Sequence, residues 1–402
     1  MIVGVPRETY PGERRVALIP SLVKRLTQSE HEVWVESGAG DEAGHPDGAY
    51  EAQGAQIKSR EEIFQHANAI LQVRGFGANP EAGRDDLDRL HEHQVLIAMM
   101  DPLSGPDAAR ELSERNVTAY AMELMPRISR AQSMDALSSQ ANIGGYKSVL
   151  LAAEALPKIF PMMMTAAGTI TPARVFIVGA GVAGLQTIAT ARRLGAIVKS
   201  YDIRPEVKEQ VESLGAKFVE LELTTDDSSG EGGYAKAMDE EFYRKQREMM
   251  TEVIAESDVV VTTAAVPGKK APILVTEDMV QGMAPGSVVV DLAAERGGNC
   301  DLTQPGQNVV AHGVTIVGPE NLPSSVPKHA SQMYAQNVFN FLEHLLEYGG
   351  LRDPDTEDQI VRETMLTRNG QVVHEKVREL LGDAPVGAAA ASESDAPAEG
   401  DN

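Results

Sequence analysis

The chain has 402 residues, 42% of them hydrophobic, so it is long enough to bury more than one core, and its length favours two or three domains. Acidic residues outnumber basic ones by 59 to 36, and the formal net charge of −23 disfavours nucleic acid and anionic lipid as direct partners. The single cysteine, Cys300, excludes an intrachain disulfide and is typical of a reducing compartment.

The sequence predicts neither export nor a membrane span. The N-terminus enters a strand at Ile2 without the apolar core of a signal peptide. The longest apolar tract, residues 149–167, is interrupted by prolines, a glutamate and a lysine, so it is not predicted to cross a membrane. We therefore expect a cytoplasmic protein, and any membrane role must come through a partner.

Residues 1–125 alternate short apolar strands with helical stretches. The predicted strands are Ile2–Val5, Glu32–Glu36, Ile70–Val73, Val95–Met99 and Thr118–Glu123. Strands separated by helices are typical of a parallel, doubly wound sheet. A later helix, Tyr334–Tyr348, is expected to return to this lobe, which makes it discontinuous (1–137 with 320–380).

A second array of strands and helices predicts another lobe, residues 138–319. Its predicted strands are Val175–Val178, Ile197–Tyr201, Lys217–Glu220, Val259–Thr263, Val288–Leu292 and Val314–Val317. The helical run Ser138–Leu156 is expected to join the lobes. The predicted fold class is therefore α/β, with two doubly wound Rossmann-like lobes joined by long helices and a cleft between them.

The segment between the lobes is dense in polar side chains. Within twelve residues it contains Arg127, Arg130, Gln132, Asp135 and Ser138. One interpretation is structural: Ser133 or Asp135 caps the joining helix and the arginines are solvated. The other is that these groups line a ligand site.

The segment Val175–Gly184 carries a buried strand directly into a Gly-x-Gly-x-x-Gly turn. Gly179 allows the tight turn, Gly181 leaves no Cβ between the backbone and a pyrophosphate, and Gly184 allows close helix packing. A helix beginning near Val182 directs its N–H groups and positive dipole end at the phosphates. The pattern predicts a dinucleotide site.

Asp202 follows the next strand at the distance expected for the ribose contact. A carboxylate there accepts both ribose hydroxyls and repels a 2′-phosphate, which favours NAD(H) over NADP(H). Arg204 leaves alternatives open, because an arginine can bind that phosphate or stack on the adenine. Asp202 itself has a structural alternative, as a helix N-cap just after a strand.

Two segments fit neither lobe. Residues 224–233 are polar and glycine-rich and are followed by Tyr234, which predicts an exposed mobile loop with an aromatic tip. The alternative is a disordered insertion of no consequence. Residues 387–402 form a low-complexity acidic tail, for which disorder is predicted.

Several segments together carry a family resemblance. They are RISRAQSMD (127–135), GGYAK within residues 230–246, Val3–Arg7, Arg14–Leu18, Met162–Val175 and Val290–Cys300. Over residues 1–380 the chain closely resembles the NAD(H)-binding subunit of proton-translocating NAD(P) transhydrogenase. Alanine dehydrogenase is the sister group with the same fold.

The resemblance implies a role for each matching residue. The residues implied at the nicotinamide end of NAD(H), where Gln132, Arg127, Asp135 and Ser138 are the catalytic set, also include Ile128 and, near the ribose, Ala264. The pyrophosphate contacts are implied to be Gly179, Gly181, Val182 and Gly184, and the adenosine contacts Asp202, Ile203 and Arg204. Gly233 and Tyr234 are implied to lie in a mobile loop that folds over the nucleotide.

The chemistry of the sister group is incomplete in this chain. Alanine oxidation needs an arginine for the carboxylate and a lysine and a histidine to move protons. Arg15 matches the arginine, but Arg74 replaces the lysine and cannot deliver a proton near neutral pH. The strand Val95–Met99 and the residues after it offer no histidine, and Glu295 stands where the alanine enzymes carry an aspartate.

Direct hydride transfer between two nicotinamides needs neither acid nor base, only two rings held in contact. One nucleotide site is visible, so the resemblance implies that NADP(H) is bound by a partner β subunit beside membrane-spanning subunits, with this chain as a homodimer on the cytoplasmic face. It resembles the version of the enzyme whose parts are separate subunits. No metal site is predicted. The alternatives are an amino-acid dehydrogenase and a non-catalytic NAD(H)-sensing subunit.

Overall fold

The computed structural model describes residues 1–220, 240–266, 268–351 and 353–383. The chain divides into two compact units. Unit 1 consists of Met1–Leu137 and the residues from Pro327 onward, and unit 2 consists of Ser138–Val326. Residues 320–326 therefore fall in unit 2. Within the described ranges, no helix combines the length and apolar character that a membrane crossing requires.

Unit 1 contains one mixed sheet. Its strands are β1 (Ile2–Val5), β2 (Glu32–Glu36), β3 (Gln56–Lys58), β4 (Ala69–Arg74), β5 (Val95–Met99), β6 (Thr118–Ala121), β16 (Met365–Arg368) and β17 (Gln371–Val372). They lie in the order β17-β16-β6-β5-β4-β1-β2-β3. Strands β1 to β6 pair in parallel, whereas β16 pairs antiparallel with β6 and with β17.

Helices cover this sheet. They are α1 (Pro20–Gln28), α2 (Asp47–Glu51), α3 (Arg60–His66), α4 (Arg84–Arg89), α5 (Asp107–Glu114), α11 (Pro327–Glu347), α12 (Gln359–Thr364) and α13 (Glu375–Leu381). Local sequence explains several starts: Pro20 occupies the first turn of α1, and Ser59 and Glu62 form a capping box at α3. Helix α11 buries Tyr334, Phe339 and Phe341 in the core of unit 1.

Unit 2 contains a second sheet and a separate hairpin. Its strands are β7 (Met163–Thr165), β8 (Gly168–Ile170), β9 (Arg174–Val178), β10 (Ile197–Tyr201), β11 (Lys217–Phe218), β12 (Val259–Thr262), β13 (Val288–Asp291), β14 (Asn308–Ala311) and β15 (Val314–Val317). The sheet order is β11-β10-β9-β12-β13-β15-β14, and β7 pairs only with β8. All pairs in the sheet are parallel except β14 with β15.

The helices α6 (Ala136–Ala155), α7 (Val182–Arg193), α8 (Lys208–Ser213), α9 (Glu240–Ala255) and α10 (Glu277–Gln281) complete the set. Strand β9 has β10 on one side and β12 on the other, so the strand order reverses at β9. In open α/β sheets, ligands bind at the carboxyl ends of the strands beside such a switch point. The turn that follows β9 therefore lies at the expected position for a ligand.

The predicted fold class is confirmed, but some boundaries were wrong. The strands predicted to end at Glu123, Glu220, Thr263 and Leu292 end one to three residues earlier. After β6, for example, the chain leaves the ladder for a 3-10 helix, Met122–Leu124. Helix α11 begins at Pro327 rather than Tyr334, because a proline is well accommodated at the first helical position.

Candidate functional site

The glycine turn after β9 is shaped by backbone contacts. Gly179 has a φ of 102°, in the left-handed region that favours glycine, and a Cβ there would clash with Thr263 Oγ1. A Cβ at Gly184 would clash with the carbonyl oxygen of Gly179. Gly181 differs, because its Cβ position has no described neighbour within 4 Å. Two glycines thus allow the close packing, and the third borders open space.

The N-terminus of α7 is directed at that open space. Val182 is the first residue of this 12-residue helix, Gly181 is its N-cap, and its first turn contains no acidic residue. The N-cap glycine has no side chain with which to satisfy the N–H groups of the first turn. Among the described residues, this end of α7 therefore has the properties of an anion site.

Asp202 follows β10 and is buried beside the turn. Its Oδ2 accepts from the Ala180 N–H at 2.7 Å and from Arg204 Nη2 at 2.8 Å. Its Oδ1 accepts from Arg204 N and Nε, both at 2.9 Å. The hydrogen bond to Asp202 raises the pKa of Arg204. Asp202 does not stand at a helix N-cap, since the next helical turn begins at Pro205 with Arg204 as its cap residue. Ile203 between them is partly buried.

The loop after β12 contacts the glycine turn directly. Thr263 Oγ1 donates to the carbonyl oxygen of Gly179 at 3.1 Å. The next residue, Ala264, has both backbone polar groups bonded to the Asn299 side chain. Asn299 was missed by the sequence reasoning, and the available signal was the Gly-Gly-Asn run in the loop after β13. Glu295, in that same loop, is exposed and accepts from the Asn321 N–H at 2.7 Å.

In unit 1, the RISRAQSMD segment forms a 3-10 helix, Ser129–Met134, that is held by neighbouring helices. Arg130 Nη1 donates to Asp358 Oδ2 at 2.6 Å, so this arginine is paired rather than only solvated. The carbonyl of Ser133 accepts from Asn337 Nδ2 at 2.9 Å and from Asn340 Nδ2 at 3.0 Å. The segment is therefore fixed by α11 and by the N-terminus of α12.

The side chains that the sequence singled out in this segment differ in exposure. Arg127 and Gln132 are exposed, whereas Ile128, Asp135 and Ser138 are partly buried. Asp135 directly precedes α6, which is the N-cap position expected by the structural interpretation. The structure thus presents Arg127 and Gln132 to solvent. Gly233 and Tyr234 lie outside the described residues.

A buried ionic cluster occupies the position that matches the amino-acid site of the alanine enzymes. Arg15 donates to Glu13 through Nε at 2.7 Å and Nη2 at 2.6 Å, and Arg74 Nε donates to the same carboxylate at 3.3 Å. Burial acts to raise the pKa of Glu13, but Arg15 overcomes this and lowers it to about 2. Glu8 accepts from the Val73 and Arg74 N–H groups, and burial raises its pKa to about 8.

The sheet order, the glycine turn and the helix N-terminus define a Rossmann-like α/β protein with a candidate dinucleotide site. Two family models match the chain: alanine dehydrogenase/PNT, N-terminal domain, over residues 4–144, and alanine dehydrogenase/PNT, C-terminal domain, over residues 148–375. The chain therefore belongs to the alanine dehydrogenase/PNT family.

Within this family the transhydrogenase relatives are the more similar. In Rhodospirillum rubrum, the first of the parts that make up NAD(P) transhydrogenase subunit alpha is 48% identical to this chain over 385 residues, covering 93% of this chain and 98% of the relative. A transhydrogenase crystal structure from Sinorhizobium meliloti is 44% identical, with a TM-score of 0.82 over 93% of this chain and all of that one.

The alanine dehydrogenase of Bacillus subtilis is 26% identical over 390 residues, covering 95% of each chain. The predicted resemblance is confirmed, and the alanine enzymes are the more distant relatives.

Proposed function

We propose that this chain is the NAD(H)-binding subunit of a proton-translocating, Si-specific NAD(P) transhydrogenase. It transfers hydride from NADH to NADP+ held on a partner subunit, coupled to proton flow through membrane-spanning partners. The observation that carries the proposal is the turn Gly179–Gly184, where an uncapped helix N-terminus and an unfilled Cβ position leave room for a pyrophosphate. The names of the similar relatives support the partner reaction.

The proposed contacts follow the strand order of unit 2. The adenosine lies on the β10 side with Asp202, Ile203 and Arg204, and the pyrophosphate lies over Gly179, Gly181, Val182 and Gly184. The nicotinamide ribose lies on the β12 side, near Ala264. Tyr234 and Gly233 fold over the nucleotide.

Arg127, Ile128, Gln132, Asp135 and Ser138 are proposed to contact the nicotinamide end. Gln132 is exposed while the backbone of its segment is fixed, which suits a side chain that aligns a ring. These residues bind and orient the cofactor, and its nicotinamide supplies the hydride. No protein acid or base is required for this step.

The ionic cluster in unit 1 argues against an amino-acid dehydrogenase. Arg15, the residue that a substrate carboxylate needs, is buried and already bonded to Glu13. Arg74 shares that carboxylate and keeps its proton near neutral pH. The sensor alternative is separated by the reaction itself, because a sensor catalyses no hydride transfer with any partner subunit. The test is NADH-dependent reduction of NADP+ after addition of the NADP(H)-binding subunit.

A further inference from the structure

Asn299 lies at the junction of three segments of unit 2, and its side chain is fully used. Its Oδ1 accepts from the Ala264 N–H at 3.0 Å, and its Nδ2 donates to the carbonyl oxygens of Ala264 and Pro272, both at 2.9 Å. The residue is completely buried. One side chain therefore satisfies both backbone polar groups of Ala264 and joins that loop to the segment at Pro272.

The backbone of Asn299 is fixed from the opposite side. Its carbonyl accepts from the N–H groups of Leu274 and Val275 at 2.8 and 3.0 Å, and its N–H donates to Asp291 Oδ2 at 2.7 Å. A rigid support is needed if a side chain is to hold another loop in place. The backbone bonds of Asn299 provide it.

Asp291 completes the support at the end of β13. This fully buried carboxylate also accepts from the Ala293 and Cys300 N–H groups and from the hydroxyls of Thr262 and Thr303. Gly298 has a φ of 79°, and a Cβ there would lie 2.8 Å from Asp291 Oδ2. The loop can wrap around the carboxylate only because this residue is glycine.

The loop that Asn299 holds borders the glycine turn. Thr263 bonds the carbonyl of Gly179, and Ala264 follows directly. This loop lies at the carboxyl end of β12, whereas Asp202 lies at that of β10, on the other side of the central strand β9. A dinucleotide that crosses this switch point with its adenosine at Asp202 places its nicotinamide half beside Ala264.

We infer that Asn299 is a positioning residue for the nicotinamide half of bound NAD(H), acting through Ala264. The inference rests on the proposed function. It separates two halves of one site: the adenosine half depends on Asp202, and the nicotinamide half depends on a loop whose backbone is tied to a single amide. Replacing that amide by a carboxylate of the same shape removes both donors and sets negative oxygens against two carbonyls.

The test measures NADH and ADP binding to the purified chain by calorimetry, because ADP contains the adenosine and pyrophosphate without the nicotinamide. In Asn299→Asp we expect NADH affinity to fall about tenfold or more, the loss typical of unpaired buried polar groups, and ADP affinity to stay within about twofold. Asn308→Asp, the same change at an exposed position of β14, should alter neither. Equal losses for both ligands, or none, would overturn the inference.

A second variant guards against misfolding of the charged one. Asn299→Ser introduces no charge and keeps one hydroxyl donor, so it should show the same selectivity with a smaller loss. Loss of ADP binding in parallel with NADH in this variant would indicate a merely structural role and overturn the inference. If the parent bound ADP but gained nothing from the nicotinamide, the inference would fall alone. A parent that bound neither ligand would overturn the proposed function itself.

Discussion

Arg204 binds Asp202 through both oxygens of its carboxylate, with Nε on Oδ1 and Nη2 on Oδ2. The N–H groups of Ala180 and Arg204 take one further position on each oxygen. A carboxylate offers about four lone-pair positions, so all of them are occupied. Ribose hydroxyls can therefore bind Asp202 only when the guanidinium of Arg204 moves aside.

This relationship predicts the effect of Asp202→Ala on cofactor choice. The variant loses the charge-assisted acceptor for the ribose, so NADH binding should weaken by about 1–3 kcal/mol. It also leaves the Arg204 guanidinium without its carboxylate, so NADPH binding should strengthen. Fluorescence titration with both cofactors measures the ratio, and Asp278→Ala, at an exposed position of α10, is the control. Equal affinity for NADH and NADPH in the parent would contradict the assignment of Asp202.

Gly181 gives a direct test of the pyrophosphate position. Its φ of −72° suits any residue, and its Cβ position contacts nothing in the described protein, so Gly181→Ala should leave the melting temperature unchanged. The added methyl group would meet the phosphates, and NADH binding should weaken by about 1–3 kcal/mol. Gly48→Ala, also without neighbours at its Cβ position, should change neither quantity. Undiminished NADH binding in Gly181→Ala would exclude a pyrophosphate from this turn.

The ionic cluster of unit 1 predicts that the chain does not act on alanine. Because Arg15 and Arg74 are both bonded to Glu13, the chain with NAD+ should not oxidise L-alanine, nor should it reduce pyruvate with ammonia and NADH. Absorbance at the NADH band measures both reactions, with an alanine dehydrogenase assayed in parallel as the positive control. Sustained turnover in either direction would favour the dehydrogenase alternative.

The same cluster predicts a pH dependence of stability. The pKa of Glu13 is about 2 in the folded chain, below its ordinary value of 4.5, so its ionised form stabilises the fold above pH 4.5. That contribution is lost as the pH falls from about 4.5 towards 2. Glu13→Gln should therefore be less stable than the parent at about pH 6, and the gap in unfolding free energy should narrow below pH 4.5.

Urea unfolding at several pH values measures this gap, with Glu51→Gln, at an exposed position of α2, as the control. A gap that stays constant from about pH 6 to about pH 3.5 would show that Glu13 does not contribute through its charge.

The parts of the site that sequence predicts are those encoded locally. The glycines of the turn and Asp202 are recognisable because their spacing follows from one strand, one turn and one helix. The pairing of Asp202 with Arg204 remained one of several options, because it depends on the rotamer of a long side chain. The role of Asn299 could not be predicted, since its partners Ala264 and Pro272 are distant in sequence and only the packing of two loops brings them together.

The fold follows the same division. The parallel strands of both sheets are predictable, because strands buried on both faces are continuous apolar runs. Strands β14 and β16 were missed: both are short antiparallel elements, and β14 alternates exposed and partly buried residues without a strong apolar run. Their positions depend on pairing with β15 and β6, which no local pattern specifies.

The central claim is hydride transfer to a partner, and Gln132→Asn tests it most directly. Shortening this exposed side chain by one methylene should leave NADH affinity within about 1 kcal/mol of the parent, the value of one neutral hydrogen bond. Misalignment of the two rings should lower the transfer rate by up to about a hundredfold. Stopped-flow absorbance with the NADP(H)-binding subunit and a spectrally shifted NAD(H) analogue measures that rate. We predict rapid transfer in the parent and slow transfer in the variant; no transfer by the parent with any such subunit would contradict the account.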